Sequence, residues 1–410
     1  MVIQYNLCIK CKGKGLCGMP CRIYSKIGKF LPKTKLHFSG NSPPEIFVGR
    51  NFYPNISAGI LAPQEEIEDA QELTMPESWH AKNLSIAQIL RNRNQLIYGK
   101  FKTQIKQNKI QKNKFTAVMQ EISMAYKSVS TEFFLSKPPK QDFEIDTSHA
   151  VIGNPAPVHD LRLQENPKIK QKVDYLVNDT DVKANTAIKE LYFASTEISN
   201  IIKILSAGLL GKQINRRLVP TRWAITATDD SISKELLKKI KFYPELNEIL
   251  LFHGYYIGNH YEILLIPDKF SFEVIEAFLP RSAWNQFSDK PLVNQDYEGF
   301  QNRKYYAENV TGAYYTARLA LCEYLEKIKK QASCLFMREE RQEYYAPCGV
   351  GILRELARSA FQSPPEKFNT IQEALKQAQT RLKLPISTFE NKSWLLKETG
   401  KQLRLNKFIR

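Results

Sequence analysis

The chain has 410 residues, 43% of them hydrophobic and 25% charged. This is enough apolar material for one large core or two ordinary ones, and it excludes an intrinsically disordered chain. Lys and Arg total 59 against 42 Asp and Glu, a formal charge of +17, which points to a polyanionic partner: nucleic acid first, an anionic membrane surface second. The opening residues do not form a charged segment followed by a long apolar one, and no apolar run approaches the roughly 20 residues that span a bilayer. The expectation is a cytoplasmic protein with no membrane partner, in a reducing compartment where cysteines hold metal or stay as thiols.

Near the start, Cys8, Cys11, Cys17 and Cys21 are spaced C-x2-C-x5-C-x3-C. A C-x2-C knuckle turns two thiolates toward one ion, and the second pair can close a tetrahedron around zinc. Gly13, Gly15 and Gly18 give the short chelate loops their backbone freedom, and Lys10, Lys12 and Lys14 offset the charge of four thiolates. Disulfides do not suit a reducing compartment, and a redox-active C-x2-C belongs after a strand in a βαβ setting, which is missing here. An iron–sulfur cluster uses the same four thiolates, and spacing does not separate it from zinc. Structural zinc in a module over residues 1–35 is the expectation. Cys322, Cys334 and Cys348 sit among apolar or helical neighbours and read as buried free thiols.

From Phe38 to Pro63 the density of Gly, Pro and Asn predicts shaped loops with short strands. Arg50 follows a glycine there, placed to reach a phosphate or to hold an ion pair. Residues Lys100 to Lys114 carry six lysines and no acid (KFKTQIKQNKIQKNK). On a helix Lys102, Lys106 and Lys109 form one stripe, suited to a phosphate backbone or simply to solvent. Phe115, Val118, Met119 and Ile122 supply an inward face. Residues 137–167 hold five prolines and predict an irregular connection inside a core spanning 36–395. Residues 182–210 have helical periodicity.

The densest polar constellation runs from Gly211 to Asp230. Arg216, Arg217 and Arg222 are placed to grip phosphates. A strand is predicted over Ala224–Thr228, with Asp229 and Asp230 at its end, either capping a helix that starts near Ser231 or holding a divalent cation. Residues 248–278 predict a hairpin or meander, Leu250–Tyr256 turning at Gly258-Asn259 into Tyr261–Ile266. Glu262, and Glu339 in the charged run after Arg338, join Asp229 and Asp230 as candidate catalytic acids of a nuclease using Mg or Mn. A helix is expected from about Thr311 to Lys330. No Walker loop, G-x-G-x-x-G or G-x-S-x-G occurs, so ATPases, dinucleotide enzymes and α/β-hydrolases have no support.

The last residues place Gln402, Leu405, Phe408 and Ile409 in the pattern Q-x-x-(aliphatic)-x-x-(aromatic)-(aromatic or aliphatic). Leu405, Phe408 and Ile409 fall at i, i+3, i+4, so one helical turn offers all three to an apolar groove. This resembles the clamp-interacting (PIP) box of proteins that bind PCNA-type sliding clamps, with Ile409 in place of the usual second aromatic. The competing account is an amphipathic end packed on the protein's own core.

Together the cysteine cluster, SPPEIFVGRNFYP (Ser42 to Pro54), RRLVPTRWAITATDD (Arg216 to Asp230), YIGNHYEILLIP (Tyr256 to Pro267), TGAYYTARLALCEYL (Thr311 to Leu325) and the tail resemble the Nre family of archaeal DNA repair proteins. The resemblance covers nearly the full chain. It implies work in the DNA damage response with the sliding clamp, in an archaeal cell and close to its chromosome. It brings no chemical reaction to named residues. The expected fold is α+β: a mixed domain with antiparallel strands and several helices, a small amino-terminal zinc module and a flexible tail over 396–410. A DNA repair factor recruited to the clamp leads; a metal-dependent nuclease and an RNA-processing protein are the alternatives.

Overall fold

The computed structural model describes residues 25, 35–106, 113–140, 146, 148–285 and 288–399. The cysteine cluster, Lys109 and the clamp-binding residues Gln402, Leu405, Phe408 and Ile409 lie outside the described residues. The chain divides into two compact units, the first drawn from Asn6–Ile232 with Ala346–Ile352, the second mainly from Ser233–Tyr345 and Leu353–Arg410. Each is built on a six-stranded mixed sheet with helices, so the class is α+β as expected.

The first unit holds β1 (His37–Ser42), β2 (Ile46–Val48), β3 (Asn55–Pro63), β4 (Leu96–Gln104), β5 (Val129–Leu135) and β6 (Pro155–Leu163), in the order β1-β5-β6-β4-β3-β2. Only the β4–β6 pair is parallel. Every second residue of β1 and β5 is buried, the period of a strand covered on one face. Among the described residues the sheet is accompanied by the α-helices α1 (Pro76–Ala81), α2 (Ile86–Asn94), α3 (Lys114–Met124), α4 (Gln171–Asn178), α5 (Ala184–Phe193) and α6 (Ile198–Ser206). The last two account for the helical periodicity of 182–210, with Ser195 at φ 55° breaking the run between them. Every residue of α6 is buried, Lys203 included. That buried ammonium lies 3.0 Å from Glu45, whose other oxygen is 3.4 Å from the buried Arg93. One carboxylate thus compensates two cations that α2 and α6 carry into the interior.

Three expectations change here. The lysine-rich run does not start as a helix: Lys100 and Lys102 lie on β4, exposed on either side of the buried Phe101. Alternation of lysine with an aromatic is the period of a strand, and helical spacing over so few positions fits both templates. A helix spans Lys114–Met124, and Val118, Met119 and Ile122 form its inward face. The proline-rich stretch 137–167 contains β6. Pro155 and Pro157 stand at its start, where their carbonyls accept hydrogen bonds from the Lys140 and Ser136 amides. The strand expected over Ala224–Thr228 is instead part of α7 (Thr221–Ile240), within which the chain passes from the first unit to the second. Ala224, Thr228, Ile232, Leu236 and Ile240 are all buried at i+4 spacing, and this helical period overrides the local β propensity of Ile and Thr. Asp229 and Asp230 are therefore mid-helix and cap nothing.

The second unit holds β7 (Ile249–Tyr256), β8 (Asn259–Ile266), β9 (Ser271–Phe278), β10 (Leu292–Glu298), β11 (Ser333–Glu340) and β12 (Glu366–Phe368), ordered β10-β9-β11-β8-β7-β12. The expected hairpin is present. Ile257 and Gly258, at φ 41° and 86°, form its two-residue turn, the geometry that matches strand twist. A side chain at Gly258 would start 2.2 Å from the Tyr344 amide. The meander does not continue, because β11 lies between β8 and β9 and runs parallel to β9.

Helices α8 (Gly312–Ile328), α9 (Gly351–Gln362), α10 (Ile371–Gln379), α11 (Ser387–Glu390) and α12 (Trp394–Glu398) are the remaining helices among the described residues. One sheet face packs Leu264, Ile275, Leu335 and Met337 against Leu375, Phe389 and Leu395. Cys322, Cys334 and Cys348 are buried free thiols, as expected.

On β8, β9 and β11, Tyr261, Glu276 and Arg338 stand in register, and Arg338 donates to Glu276, Glu340 and the side-chain oxygen Oδ1 of Asn259. Burial pushes the Glu340 carboxyl up to about 8, against the pull of Arg338 and the Trp284 amide. The native state then holds a proton that the unfolded chain releases near 4.5. Its contribution to stability is complete below that unfolded value and is lost as pH rises through about 8. Urea midpoints measured across this window should fall with rising pH, and Glu340→Gln should shallow the decline. An unchanged slope in the variant would contradict the assignment.

Candidate nucleic-acid interface

The loop Gly49–Pro54 joins β2 to β3 and is closed by a 2.8 Å hydrogen bond from the Gly49 amide to the Ser57 carbonyl. At its base the Val48 amide donates to Thr221 Oγ1 at 2.9 Å, which ties the loop to the first residue of α7. The Ser206 hydroxyl, 3.2 Å from the same oxygen, donates to the Val219 carbonyl. Arg50 and Arg222 then meet at one carboxylate: Asp146 Oδ2 lies 3.0 Å from Arg222 and 3.9 Å from Arg50. Burial alone would raise the Asp146 carboxyl; His149, Arg222, the Ser148 amide and Arg50 together hold it below its ordinary value. Two guanidinium groups share one negative charge, so the pair keeps a net positive charge at the surface.

The segment before α7 is fixed by Arg216. Its guanidinium donates to the carbonyls of Gly211, Val177 and Asp179 at 2.7, 2.7 and 2.6 Å. This arginine is buried and spent on backbone, so it is the framework of the site and is not turned outward. Arg217, its neighbour, is exposed and pairs through the backbone with exposed Lys106 just beyond β4. The Ile105 amide donates to the Pro54 carbonyl and the Leu218 amide to the Ile105 carbonyl, so the β2–β3 loop, the end of β4 and the Arg217 segment are hydrogen-bonded in sequence. A hollow of about 930 Å³ beside them is lined by Lys106, Lys212, Arg217 and exposed Ile214, with Asp181 its acid. Arg50, Lys106 and the Arg217–Arg222 segment, far apart in the sequence, thus come together in one unit. Lys102 lines a second groove, of about 1020 Å³, with Lys100, Lys114, Lys137 and Lys140. Phe101, Phe115 and Pro157 give it apolar walls, and no acid is among its described lining residues.

None of the candidate acids is among the residues lining these two hollows. Asp229 is fully buried and Asp230 half-buried inside α7. Glu262 and Glu339 belong to the second unit. Arg381 grips both oxygens of Glu262, at 2.8 and 2.9 Å, while His260 approaches one of them to 2.8 Å. Glu339 accepts from Arg341 and from the Lys383 and Leu384 amides. These acids anchor the segment after α10. Among the described residues no group of three or more His, Cys, Asp or Glu side chains is arranged to hold a metal ion, and no helix is long and apolar enough to cross a membrane.

Sequence reasoning overlooked Asp146, Lys212 and the lysines at 137 and 140. It also passed over the aromatic side chains Phe52, Tyr53 and Trp223. Two adjacent aromatics inside a Gly-, Asn- and Pro-rich loop were the available signal, since such loops lie at the surface.

The class defined so far is a basic α+β protein of two units with an arginine- and lysine-lined surface on the first. Two family profiles match it: "Archaeal Nre, N-terminal" over residues 13–285 and "Archaeal Nre, C-terminal" over residues 298–408. The chain belongs to the archaeal Nre family. It is 35% identical over 390 residues to the DNA repair protein NreA of Archaeoglobus fulgidus, covering 94% of this chain and 95% of that one. It is 32% identical over 408 residues to NreB of the same organism, covering 98% and 100%. With NreA of Haloferax volcanii it shares 31% over 357 residues, covering 86% and 85%. No solved structure matches it.

Removing the Arg216 guanidinium strands three carbonyls. Arg216→Met should lower the unfolding free energy by about 3 kcal/mol or more, while Arg217→Ala should stay within about 0.5 kcal/mol of the parent. Urea denaturation of both variants reads the contrast, and equal effects would contradict it.

Proposed function

We propose that this chain is a DNA repair factor that binds DNA through the surface of its first unit and is recruited to a sliding clamp by its carboxyl-terminal residues. The observation that carries the DNA-binding part is the meeting of Arg50, Lys106, Arg217 and Arg222 on hydrogen-bonded neighbouring segments. Clustered cations of this kind suit a phosphate backbone, whose binding they make salt-dependent. The names of the relatives, all DNA repair proteins, support the assignment to repair. DNA is preferred to RNA on the same ground.

Exposed Lys106 and Arg217 test the surface without disturbing the core. In titrations of a DNA oligonucleotide at several salt concentrations, Lys106→Ala and Arg217→Ala should weaken binding, each lowering the slope of log K against log salt by about 1. Unchanged slopes in both variants would refute the reading.

Gln402, Leu405, Phe408 and Ile409 would form the clamp hook, a short amphipathic turn set into an apolar groove. Ile409 in the second aromatic position implies modest affinity. Titrating the purified protein onto its clamp should show binding that Phe408→Ala with Ile409→Ala abolishes; undiminished binding by the double variant would remove the hook.

The four thiolates of Cys8, Cys11, Cys17 and Cys21 suit a structural zinc ion, which would tie the start of the chain into a small module. Metal analysis with a visible absorption spectrum separates this from an iron–sulfur cluster.

A further inference from the structure

The same surface carries aromatic rings that a duplex cannot use. Phe52 is 89% exposed at the tip of the β2–β3 loop, Tyr53 is 42% exposed and Trp223 is 45% exposed. The rings of Tyr53 and Trp223 meet at 5.4 Å between centroids, although 170 positions separate them in the sequence. The 2.9 Å bond from the Val48 amide to Thr221 brings their two segments together. Phe52 holds a backbone φ of 64°, unfavourable for a bulky residue, and its ring remains in solvent. Neither the conformation nor the exposure serves the core. Arg50 precedes Phe52 by two residues and Arg222 is next to Trp223 in the sequence, and both guanidinium groups pair with Asp146.

We infer that Phe52, Tyr53 and Trp223 form a stacking platform for unpaired bases, so that the DNA bound at this surface is single-stranded or locally opened. The inference rests on the DNA-binding reading above and specifies its substrate class. Aromatic faces beside a cationic track are the means by which proteins hold single strands, because every base has a face that can stack. In a duplex those faces are already covered by neighbouring pairs, and only base edges are offered. Charge complementarity favours a nucleic-acid strand over an apolar protein segment: the two ring-bearing segments each carry an arginine, Arg50 and Arg222, joined at Asp146, in a chain of net charge +17.

The test uses the full chain and three labelled probes at one fixed salt concentration: an oligo(dT) strand, an abasic strand of equal length and charge, and a hairpin duplex. Oligo(dT) should bind about tenfold or more tighter than the abasic strand. Phe52→Ala and Trp223→Ala should erase that margin while leaving duplex binding unchanged, and Trp223→Phe should retain it. Phe52 makes so little contact with the fold that its variant reads recognition and not folding. Equal binding of oligo(dT) and the abasic strand, or a margin that survives both alanine variants, would overturn the platform and leave the phosphate-binding surface standing. Failure of all three probes to bind would overturn both.

Discussion

The convergence of three backbone carbonyls on the buried Arg216 guanidinium is the constraint on which the surface depends. Carbonyls at chain segments without regular partners must be satisfied when water is removed, and a guanidinium offers several donors in a fixed planar fork. By binding Val177, Asp179 and Gly211 at once, Arg216 sets the path of the chain between α6 and α7. Arg217 is then turned to solvent, and Arg222 and Trp223 open the helix beside the β2–β3 loop. The residue that reads most readily as a phosphate ligand is the one that positions the others.

A second device sharpens the same surface. Asp146 is nearly buried, yet stays well suited to ionisation because His149, two arginines and the Ser148 amide surround it. One fixed carboxylate orienting two arginines gives a surface that is positive and also ordered. The rigid flanks come from the sheet and from the Thr221 hydroxyl, which accepts from Val48. Cations ordered in advance would lose less conformational entropy on binding the proposed DNA ligand.

Much of this was legible in the sequence where a pattern is local. The β7–β8 hairpin followed from β-rich runs around a glycine turn, α8 from its periodicity, and the buried thiols from their neighbours. Arg50, Lys106, Arg217 and Arg222 were visible as candidate phosphate ligands because charge clustering survives in one dimension. What the sequence hid was long-range. Nothing near Ala224–Thr228 signals that burial every fourth residue continues as far as Ile240, so a locally β-prone stretch reads as a strand. Asp146 stands alone, and its importance comes from Arg50 and Arg222, which lie 96 and 76 positions away. Glu262 and Glu339 read in the sequence as candidate acids, and nothing near them there shows that Arg381 and Arg341 bind them. The partnership of Tyr53 with Trp223 exists only once β2 has docked beside α7.

The central claim is that segments 50–55, 105–106 and 216–223 act as one DNA-binding surface. Amide hydrogen exchange, followed with and without a saturating oligonucleotide, tests it most directly because it reports the whole chain at once. The account predicts slowed exchange in these three segments together, with little change along β7 to β12. Protection confined to the second unit, with the three segments exchanging as in the free protein, would contradict it.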